Sequence, residues 1–443
     1  MRRSVLIFLG IFFILAFSIL LFFIYVRRDR AATSMQTKKV FILKQDKHYT
    51  LYRDGQPFLI KGAAGISHLG QLQEAGGNTL RTWDTLNIGA ILNDAAAHNI
   101  AVIAGLALPH SSTQSFYDDT AQVAAQLRAY REVVRKYKSH PALLMWCLGN
   151  EIDFPYKPRF KQFYKTFNDL VKMIHEEDPD HPVTTALESF SRRCIYNIRL
   201  KIPELDFISI NTFGKLSSLQ DDLDRFSWFW NGPFLISEWG INGPWEAEKT
   251  AWGSPIENTS DKKAEHYAER YKYMPVNDPR FLGACVFFWG QKQEGTPTWF
   301  SLFSGDSAAS ESVNTITHIW TGKRPPIHAP RVKYMLLEGQ GARDNILLNP
   351  DSIYHAELLM EEPPGDSIRV HWEIMEEDWF RKSIIEPNIK KPRNYNNLLL
   401  PGKGLTVSFR TPPAEGPYRL FVTVFDKKGY FSTANTPFYV TGK

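Results

Sequence analysis

A repeated alternation of short apolar runs with helix-like segments is the feature that most constrains the fold of this chain. Eight runs between residues 58 and 290 end in polar or aromatic residues: FLIKGAAG, NTLRTW, IAVIAGLAL, LLMWCLGNE, PVTTALES, DFISINTF, PFLISEWG and GACVFFWG. Eight strands that alternate with helices predict an α/β fold, a parallel (β/α)8 TIM barrel. A doubly wound open sheet is the alternative, and the lack of a Gly-rich phosphate loop after the first strand weakens it.

Local patterns predict individual elements within this framework. The pair Asp54-Gly55 lies between two apolar-rich runs, which is a signal for a β-hairpin. In the segment RFKQFYKTFNDLVKMIHEEDPD, apolar side chains recur at helical spacing and form one stripe. The members of this stripe are Phe160, Phe163, Tyr164, Phe167, Leu170, Val171 and Ile174.

The spacing of apolar residues changes after GKRPPIHAPR, residues 322–331. The prolines of this stretch make a stiff linker. Beyond it, apolar and polar residues alternate with a period of two, as in half-buried strands. The alternating sets are Ile368, Val370, Trp372 and Ile374, then Leu405, Val407 and Phe409, then Tyr418, Leu420, Val422 and Val424. This pattern predicts a small antiparallel, immunoglobulin-like β-sandwich.

The N-terminus carries an uncharged apolar run, VLIFLGIFFILAFSILLFFIYV, over residues 5–26. A run of this length can cross a bilayer as one helix, and it meets RRDR directly, which favours an uncleaved anchor over a signal peptide. Because arginines flank both ends, the positive-inside rule does not give the orientation. The expected domains are an anchor (1–30), a tether (31–39), the barrel (40–322), a linker (323–331) and the sandwich (332–443).

Charge and cysteine usage exclude several other classes of function. The net charge is +5, and Lys and Arg are not concentrated beyond the membrane flank, so a nucleic-acid partner has little support. The three cysteines, Cys147, Cys194 and Cys285, are too few for a disulfide framework and show no paired metal spacing. Cys147 and Cys285 lie in apolar runs and are predicted to be buried thiols. No metal and no organic cofactor is implied.

Polar residues at the ends of the predicted strands indicate the chemistry. In a (β/α)8 barrel the working residues lie at the carboxyl ends of the strands. Two glutamates, Glu151 and Glu238, follow the fourth and seventh strands and should emerge at the same rim. Hydrolysis of a glycosidic bond needs such a pair, one group to protonate the leaving oxygen and one to attack the anomeric carbon. The alternative for Glu151 is a carboxylate that stabilises a helix N-terminus.

These strand ends resemble a known group of enzymes. The motifs WCLGNE and ISEWG resemble the acid/base and nucleophile strands of the retaining (β/α)8 glycoside hydrolases. The segments LYRDGQPFLIKGAA and GNTLRTW are similar to the barrel of family 2, the β-galactosidase and β-glucuronidase family. A more distant resemblance, in LQEAGGNTLRTWDT and FFWGQKQEGTPTWFSLF, is to fungal β-1,3-glucanosyltransferases. Together these similarities span about residues 40 to 322.

The resemblance implies a role for each matching residue. Glu151 would be the acid/base and Glu238 the nucleophile. Asn150 would bond the sugar hydroxyl next to the anomeric carbon, Arg81 would hold the nucleophile, and Trp289 would form the floor of the sugar site. From the residues alone, a plain salt bridge at the rim is the alternative for Arg81.

One departure concerns the sixth strand. The clan usually places a tyrosine after it, whereas SINTFG has Phe213, which has no hydroxyl. Either another donor takes its place or the reactivity differs. Further substrate-binding candidates are polar or aromatic residues in the predicted rim loops, although each could serve packing instead. They are Asn211, Trp83, His110, Glu188, Trp245, Trp252, Trp299 and Phe300.

These patterns together predict a single-pass membrane protein whose catalytic domain is extracytoplasmic. We expect a retaining glycosidase or transglycosylase that acts on a β-linked glucan or related polysaccharide. A catalytically silent barrel that binds polysaccharide is the first alternative, and Phe213 favours it. An envelope assembly factor whose sandwich binds a protein partner is the second.

Overall fold

The computed structural model describes residue 17 and residues 38–362, 368–377, 392–402 and 404–442. The predicted membrane anchor therefore lies outside the described residues, apart from Phe17. Among the residues that are described, no helix combines the length and the apolar character needed to cross a membrane.

Eight strands form a closed barrel in the order β10-β11-β4-β5-β6-β7-β8-β9, which confirms the predicted (β/α)8 fold. The pairs whose register is defined, from β5 to β9, are parallel. Each of the eight apolar runs forms one strand because it is buried on both faces. The strands are β4 (Ile60–Gly65), β5 (Thr79–Arg81), β6 (Ala101–Leu106), β7 (Leu143–Asn150), β8 (Val183–Leu187), β9 (Phe207–Thr212), β10 (Phe234–Trp239) and β11 (Phe281–Trp289).

Helices follow the barrel strands and bury their apolar stripes. The predicted stripe of the segment 159–180 is confirmed, since all seven of its members are buried. Asp119 caps one helix by accepting hydrogen bonds from the backbone of Ala121 and Gln122. The helices are α1 (Leu69–Glu74), α2 (Ile88–Ala97), α3 (Gln114–Asp118), α4 (Thr120–Tyr137), α5 (Lys161–Glu177), α6 (Arg192–Lys201), α7 (Leu216–Phe226), α8 (Ser260–Tyr271) and α9 (Glu311–Thr321).

A small antiparallel sheet precedes the barrel. It contains β1 (Val40–Gln45), β2 (His48–Arg53) and β3 (Gln56–Pro57). The predicted hairpin is confirmed, because Arg53 pairs with Gln56 across the two-residue turn Asp54-Gly55. Both turn residues have positive φ, which is the geometry that an Asp-Gly turn favours.

Two further sheets follow α9 and enclose one apolar core. The predicted period-two strands are present, and Trp372, Phe409 and Leu420 face this core. One pair differs from the antiparallel expectation, since β13 runs parallel to β18. The sheets are β12-β14-β16 and β13-β18-β17-β15, with β12 (Val332–Leu337), β13 (Leu347–Leu348), β14 (Ile353–Met360), β15 (Arg369–Glu376), β16 (Thr406–Arg410), β17 (Gly416–Phe425) and β18 (Phe431–Val440). The predicted domain boundaries at residues 322 and 331 stay predictions.

The chain divides into two compact units whose limits pass through the barrel strands. The first contains the described residues up to Gly62 together with Asn78–Glu238 and Pro275–Cys285. The second contains Ala63–Gly77, Trp239–Met274 and the described residues from Val286 onward.

A buried arginine connects the C-terminal sheets to a barrel loop inside the second unit. Arg419 of β17 is fully buried and pairs with both carboxylate oxygens of Glu377, at 2.8 and 2.9 Å. It also donates to Oδ1 of Asn435 and to the carbonyl of Pro255, which lies in the loop after β10. Each of its three nitrogens thus has a partner, as a buried charge requires.

We expect Arg419→Met to lower the free energy of unfolding by roughly 3–5 kcal/mol, because Glu377 would stay buried without its partner. Urea unfolding monitored by fluorescence measures this change. Arg410→Met is the matched control, since Arg410 is exposed on β16 of the same domain. Equal stability of the two variants would contradict the role assigned to Arg419.

Candidate active site

The end of β7 departs from regular strand geometry. Its pairing with β8 shifts between Cys147 and Asn150, which is a β-bulge. Gly149 and Glu151 have φ angles of 77° and 53°. A Cβ at position 149 would lie 2.2 Å from Cδ1 of Ile152, so glycine is required there. A bulge redirects the side chains next to it, and here these belong to Asn150 and Glu151.

A buried ion pair joins β5 to β10. Arg81, the last residue of β5, is fully buried, and its Nη1 donates to Oε1 of Glu238, which is 4% exposed. Nη2 of Arg81 donates to Oδ1 of Asn150 over 2.6 Å. The guanidinium therefore holds the carboxylate of β10 and the amide of β7 in one arrangement. The predicted contact between Arg81 and Glu238 is present.

Trp83 supplies a second hydrogen-bond donor to the same carboxylate. Its Nε1 lies 2.8 Å from Oε1 of Glu238, and its ring centre lies 4.8 Å from the guanidinium carbon of Arg81. Gly105 makes room for this residue, because a Cβ there would lie 2.3 Å from the backbone of Trp83. The sequence made Trp83 a substrate-binding candidate with packing as the alternative; in the structure its indole nitrogen contacts Glu238 directly.

Asn211 of β9 connects the second glutamate to this group. Its Nδ2 donates to Oε1 of Glu151 over 2.8 Å and lies 3.3 Å from Oδ1 of Asn150. Its Oδ1 accepts a hydrogen bond from Oγ of Ser237 over 2.7 Å, which determines the orientation of the amide. A continuous hydrogen-bond network therefore runs from Glu151 through the two asparagines to the buried ion pair.

The surroundings of Glu151 change its acidity. Its pKa is raised to about 7, mainly because burial penalises the charged form and also because of the negative charge of Glu238. The hydrogen bond from Asn211 lowers this pKa, and the charge of Glu188 raises it. Such a group holds a proton near neutral pH and can release it, while Glu238 is paired with a guanidinium. Two carboxyl groups in unlike environments suit acid catalysis with a separate nucleophile.

Sequence reasoning missed two residues that build this site. Ser237 precedes Glu238 on β10 and orients Asn211, and Gly105 on β6 admits Trp83. The signal for Ser237 was a hydroxyl inside an apolar run, since a buried hydroxyl needs a partner. The signal for Gly105 was a glycine inside a strand, which often marks a close backbone approach.

The cysteines near the barrel interior are buried thiols, as predicted. Burial raises the pKa of Cys147, and it raises that of Cys285 to about 12. Burial thus favours the neutral form of both thiols, as expected of structural cysteines. Within the described residues, no group of three or more His, Cys, Asp or Glu side chains could hold a metal ion.

Two predicted sugar-contacting tryptophans are buried in protein contacts. Trp289 is fully buried; its Nε1 donates to the carbonyl of His68 over 3.0 Å, and its ring packs against Phe303. Trp299 is 3% exposed, and its Nε1 donates to the carbonyl of Asn242 over 2.9 Å. Both rings are enclosed by protein in this structure, and the floor role expected of Trp289 stays a prediction.

The remaining candidates have the following surroundings. Trp245 is 49% exposed and packs against Phe300. His110 is exposed, and its Nδ1 lies 2.7 Å from Oγ of Ser112. Phe213 is buried. The structure therefore brings together six of the predicted residues: Arg81, Trp83, Asn150, Glu151, Asn211 and Glu238.

Comparison with known proteins gives a family match for the segment that carries these six residues. The family model described as "Glycosyl hydrolases family 2, TIM barrel domain" matches residues 77–243. β-Glucuronidase of Mus musculus is 28% identical over 187 residues, which are 39% of this chain and 26% of the mouse protein. The rat (Rattus norvegicus) β-glucuronidase is 28% identical over 193 residues, 40% of this chain and 28% of that protein.

Solved structures of similar fold include the β-glucuronidase of Faecalibacterium prausnitzii. The TM-score is 0.50 at 18% identity, covering 64% of this chain and 52% of that one. The β-D-glucuronidase of Dictyoglomus thermophilum gives a TM-score of 0.50 at 17% identity, covering 65% and 54%. At this identity the likeness concerns the fold alone, and the chain spans about a quarter of the curated relatives it matches. Residues 77–243 of the barrel are thus similar to the TIM barrel domain of family 2 glycosyl hydrolases.

Proposed function

We propose that this protein is a retaining glycosidase of β-linked sugars. One observation carries the proposal: a buried carboxylate, Glu238, is held by Arg81 and Trp83 and is linked through two asparagines to Glu151, a carboxyl group whose pKa is raised to about 7. This is the pair of unlike carboxyl groups that double displacement at an anomeric carbon requires.

In the first step Glu238 attacks the anomeric carbon, and the bond to the leaving oxygen breaks. Glu151 donates its proton to that oxygen as the bond breaks. Arg81 and Trp83 keep the carboxylate of Glu238 oriented, so that little reorganisation is needed when its charge is transferred. The product of this step is a covalent glycosyl ester on Glu238 and a released alcohol.

In the second step Glu151 acts as a base. Now ionised, it removes a proton from an incoming water, whose oxygen attacks the anomeric carbon and releases Glu238. A sugar hydroxyl in place of water would give transglycosylation, because the chemistry at both carboxyl groups is the same.

Two observations bear on the substrate class, and they favour different sugars. The curated relatives from mouse and rat are β-glucuronidases, which favours a β-glucuronide. The N-terminal apolar run favours a protein anchored in a membrane. Its flanking arginines do not give the orientation, and we place the barrel outside the cytoplasm because a β-linked glucan substrate would lie there. We propose the β-glucuronide as the first substrate to test and the β-glucan as the second. We also propose that the C-terminal sheets form an immunoglobulin-like domain that is a structural part of the enzyme.

A silent barrel that binds polysaccharide without cleaving it is the rival function. Phe213 favours it, because the tyrosine hydroxyl expected after the sixth strand is missing. Against it, Trp83 provides a hydrogen-bond donor to Glu238 from the segment after β5.

We expect wild-type protein to hydrolyse at least one of a panel of aryl β-glycosides that includes the glucuronide, glucoside and galactoside. Glu238→Gln should lower kcat at least about 10⁴-fold because the nucleophile is lost. Glu151→Ala should lower it about 10²–10⁴-fold because the acid is lost. Glu132→Gln, which removes an exposed carboxylate of α4, is the control and should keep full activity. Binding of oligosaccharides with no turnover on any substrate would support the silent barrel instead.

The pH dependence of kcat/KM should fall above about pH 7, because Glu151 must be protonated to donate to the leaving oxygen. Glu188→Gln removes a negative charge that raises this pKa, so the basic limb should move to lower pH. The shift should shrink as salt is added, since exposed charges are screened. Initial rates across pH at low and high ionic strength measure both effects. A basic limb that moves upward in Glu188→Gln would contradict this assignment.

Trp83→Phe tests whether the indole nitrogen takes the place of the missing hydroxyl. It removes one hydrogen bond to a charged carboxylate and keeps an aromatic ring, so we expect kcat/KM to fall about ten- to a hundredfold. Trp228→Phe, an exposed tryptophan after α7, is the control. Circular dichroism first checks that both variants are folded, and steady-state kinetics then measure kcat/KM. Unchanged activity in Trp83→Phe would exclude this role.

A further inference from the structure

The loop that follows β7 carries Glu151 and is held in place by side chains from two helices. Three successive carbonyls of this loop accept hydrogen bonds from such side chains. The carbonyl of Phe154 accepts from Asn197, that of Pro155 from Tyr164, and that of Tyr156 from Lys201. The distances are 3.0, 2.8 and 3.1 Å. The conformation of the loop thus depends on α5 and α6.

One face of α6 supplies most of these contacts. Arg193, Asn197 and Lys201 are spaced by four residues, so they lie in one row along the helix. Arg193 donates to Oδ1 of Asp153 over 2.6 Å. Together with the two hydrogen bonds of Asn197 and Lys201, this row contacts the loop at Asp153, Phe154 and the residues that follow. We call Arg193, Asn197 and Lys201 the α6 row.

Apolar side chains of α5 also pack against this loop. Ile152 and Phe154 are buried, and the ring of Phe154 contacts those of Phe163 and Phe167 on α5. Asn168 of α5 donates to the carbonyl of Lys201, which ties the end of α6 to α5. The row, the rings and this cross-link therefore form one packed group inside the first unit.

Glu151 stands at the start of this loop, with a left-handed backbone that ordinary residues adopt only when the surroundings impose it. Its backbone N–H donates to the carbonyl of Ala186, and its carboxyl accepts from Asn211. On the C-terminal side of Glu151, the loop that the α6 row contacts determines the path of the backbone. Displacement of the loop would move the carboxyl group relative to the barrel.

We infer that Asn197 and Lys201 are positioning residues for the acid step, because they hold the loop that aims the Glu151 carboxyl at the leaving oxygen. This inference rests on the proposed glycosidase function. It assigns to α6, a helix on the outside of the barrel, a specific effect on one half of the reaction. A general acid misplaced by about 1 Å loses on the order of a hundredfold in rate.

The test compares two substrates that share a sugar but differ in leaving group. Phenyl glycoside needs protonation of its leaving oxygen, whereas dinitrophenyl glycoside departs without it. In the double variant Asn197→Leu/Lys201→Met, kcat/KM for the phenyl glycoside should fall about ten- to a hundredfold and that for the dinitrophenyl glycoside less than about threefold. kcat/KM reports only the steps up to departure of the leaving group, so the later base step does not obscure the comparison.

Two controls separate positioning from general loss of structure. Lys201→Arg, made alone, keeps donors at the same place and should retain most of the wild-type activity on the phenyl glycoside. Arg192→Met removes an exposed charge of the same helix outside the α6 row and should leave both substrates unaffected. Equal losses on both substrates, or no loss on either, would overturn the inference.

A failure of the proposed function would look different. In that case wild-type protein would turn over neither substrate. An NMR titration of the side-chain carboxyl carbons then measures the pKa of Glu151 in wild type and in the double variant. A pKa that changes in the double variant and not in Arg192→Met supports the positioning of Glu151 by α6, and an unchanged pKa refutes it.

Discussion

The buried ion pair of Arg81 and Glu238 is the interaction on which the rest of the site depends. Removing two charges from water is costly, and their attraction compensates only when geometry and further hydrogen bonds are good. Here Asn150 accepts from the second guanidinium nitrogen, and Trp83 donates to the carboxylate. Three barrel strands must therefore keep their relative register, because a shift of β5 or β10 separates the two charges and a shift of β7 takes the Asn150 acceptor away from the guanidinium. The bulge at the end of β7 follows from the same demand, since it brings Asn150 to the guanidinium.

The ion pair also gives the two glutamates of the site different hydrogen-bond partners. Glu238 has a positive charge as its hydrogen-bond partner, whereas Glu151 is bonded to the neutral amide of Asn211. Burial acts on Glu151 without a compensating cation in direct contact, and the charge of Glu238 adds to it, so the pKa of Glu151 rises. The arrangement thus needs no unusual residue type. It needs one cation placed on one side of the pair.

The barrel and the residues at its rim could be predicted because two simple periodicities determine them. Strands buried on both faces read as apolar runs, and the carboxyl ends of parallel strands share one edge, so Arg81, Asn150, Asn211 and Glu238 could be grouped without knowing any distance. The direction of a large side chain follows no such rule. The indole of Trp289 is buried against protein because of how its strand packs.

Other features depend on backbone details that no periodicity shows. The bulge on β7 adds a residue without changing the apolar pattern, and the parallel pairing of β13 with β18 joins two segments far apart in the chain. The predicted anchor over residues 5–26 and the similarity to fungal glucanosyltransferases stay predictions.

The C-terminal sheets share buried polar contacts with barrel elements of the second unit, which argues against a detachable spacer. Oγ of Ser260, at the start of α8, lies 3.0 Å from Oγ1 of Thr433 on β18. The same Oγ accepts a hydrogen bond from the backbone N–H of Thr433. Lys263, one turn further along α8, forms a buried ion pair with Glu257 of the loop after β10. Loss of the sheets would expose the first contact and leave the Pro255 carbonyl without the Arg419 guanidinium. Because buried polar groups are stable only when paired, the loop after β10 and the C-terminal sheets stabilise each other.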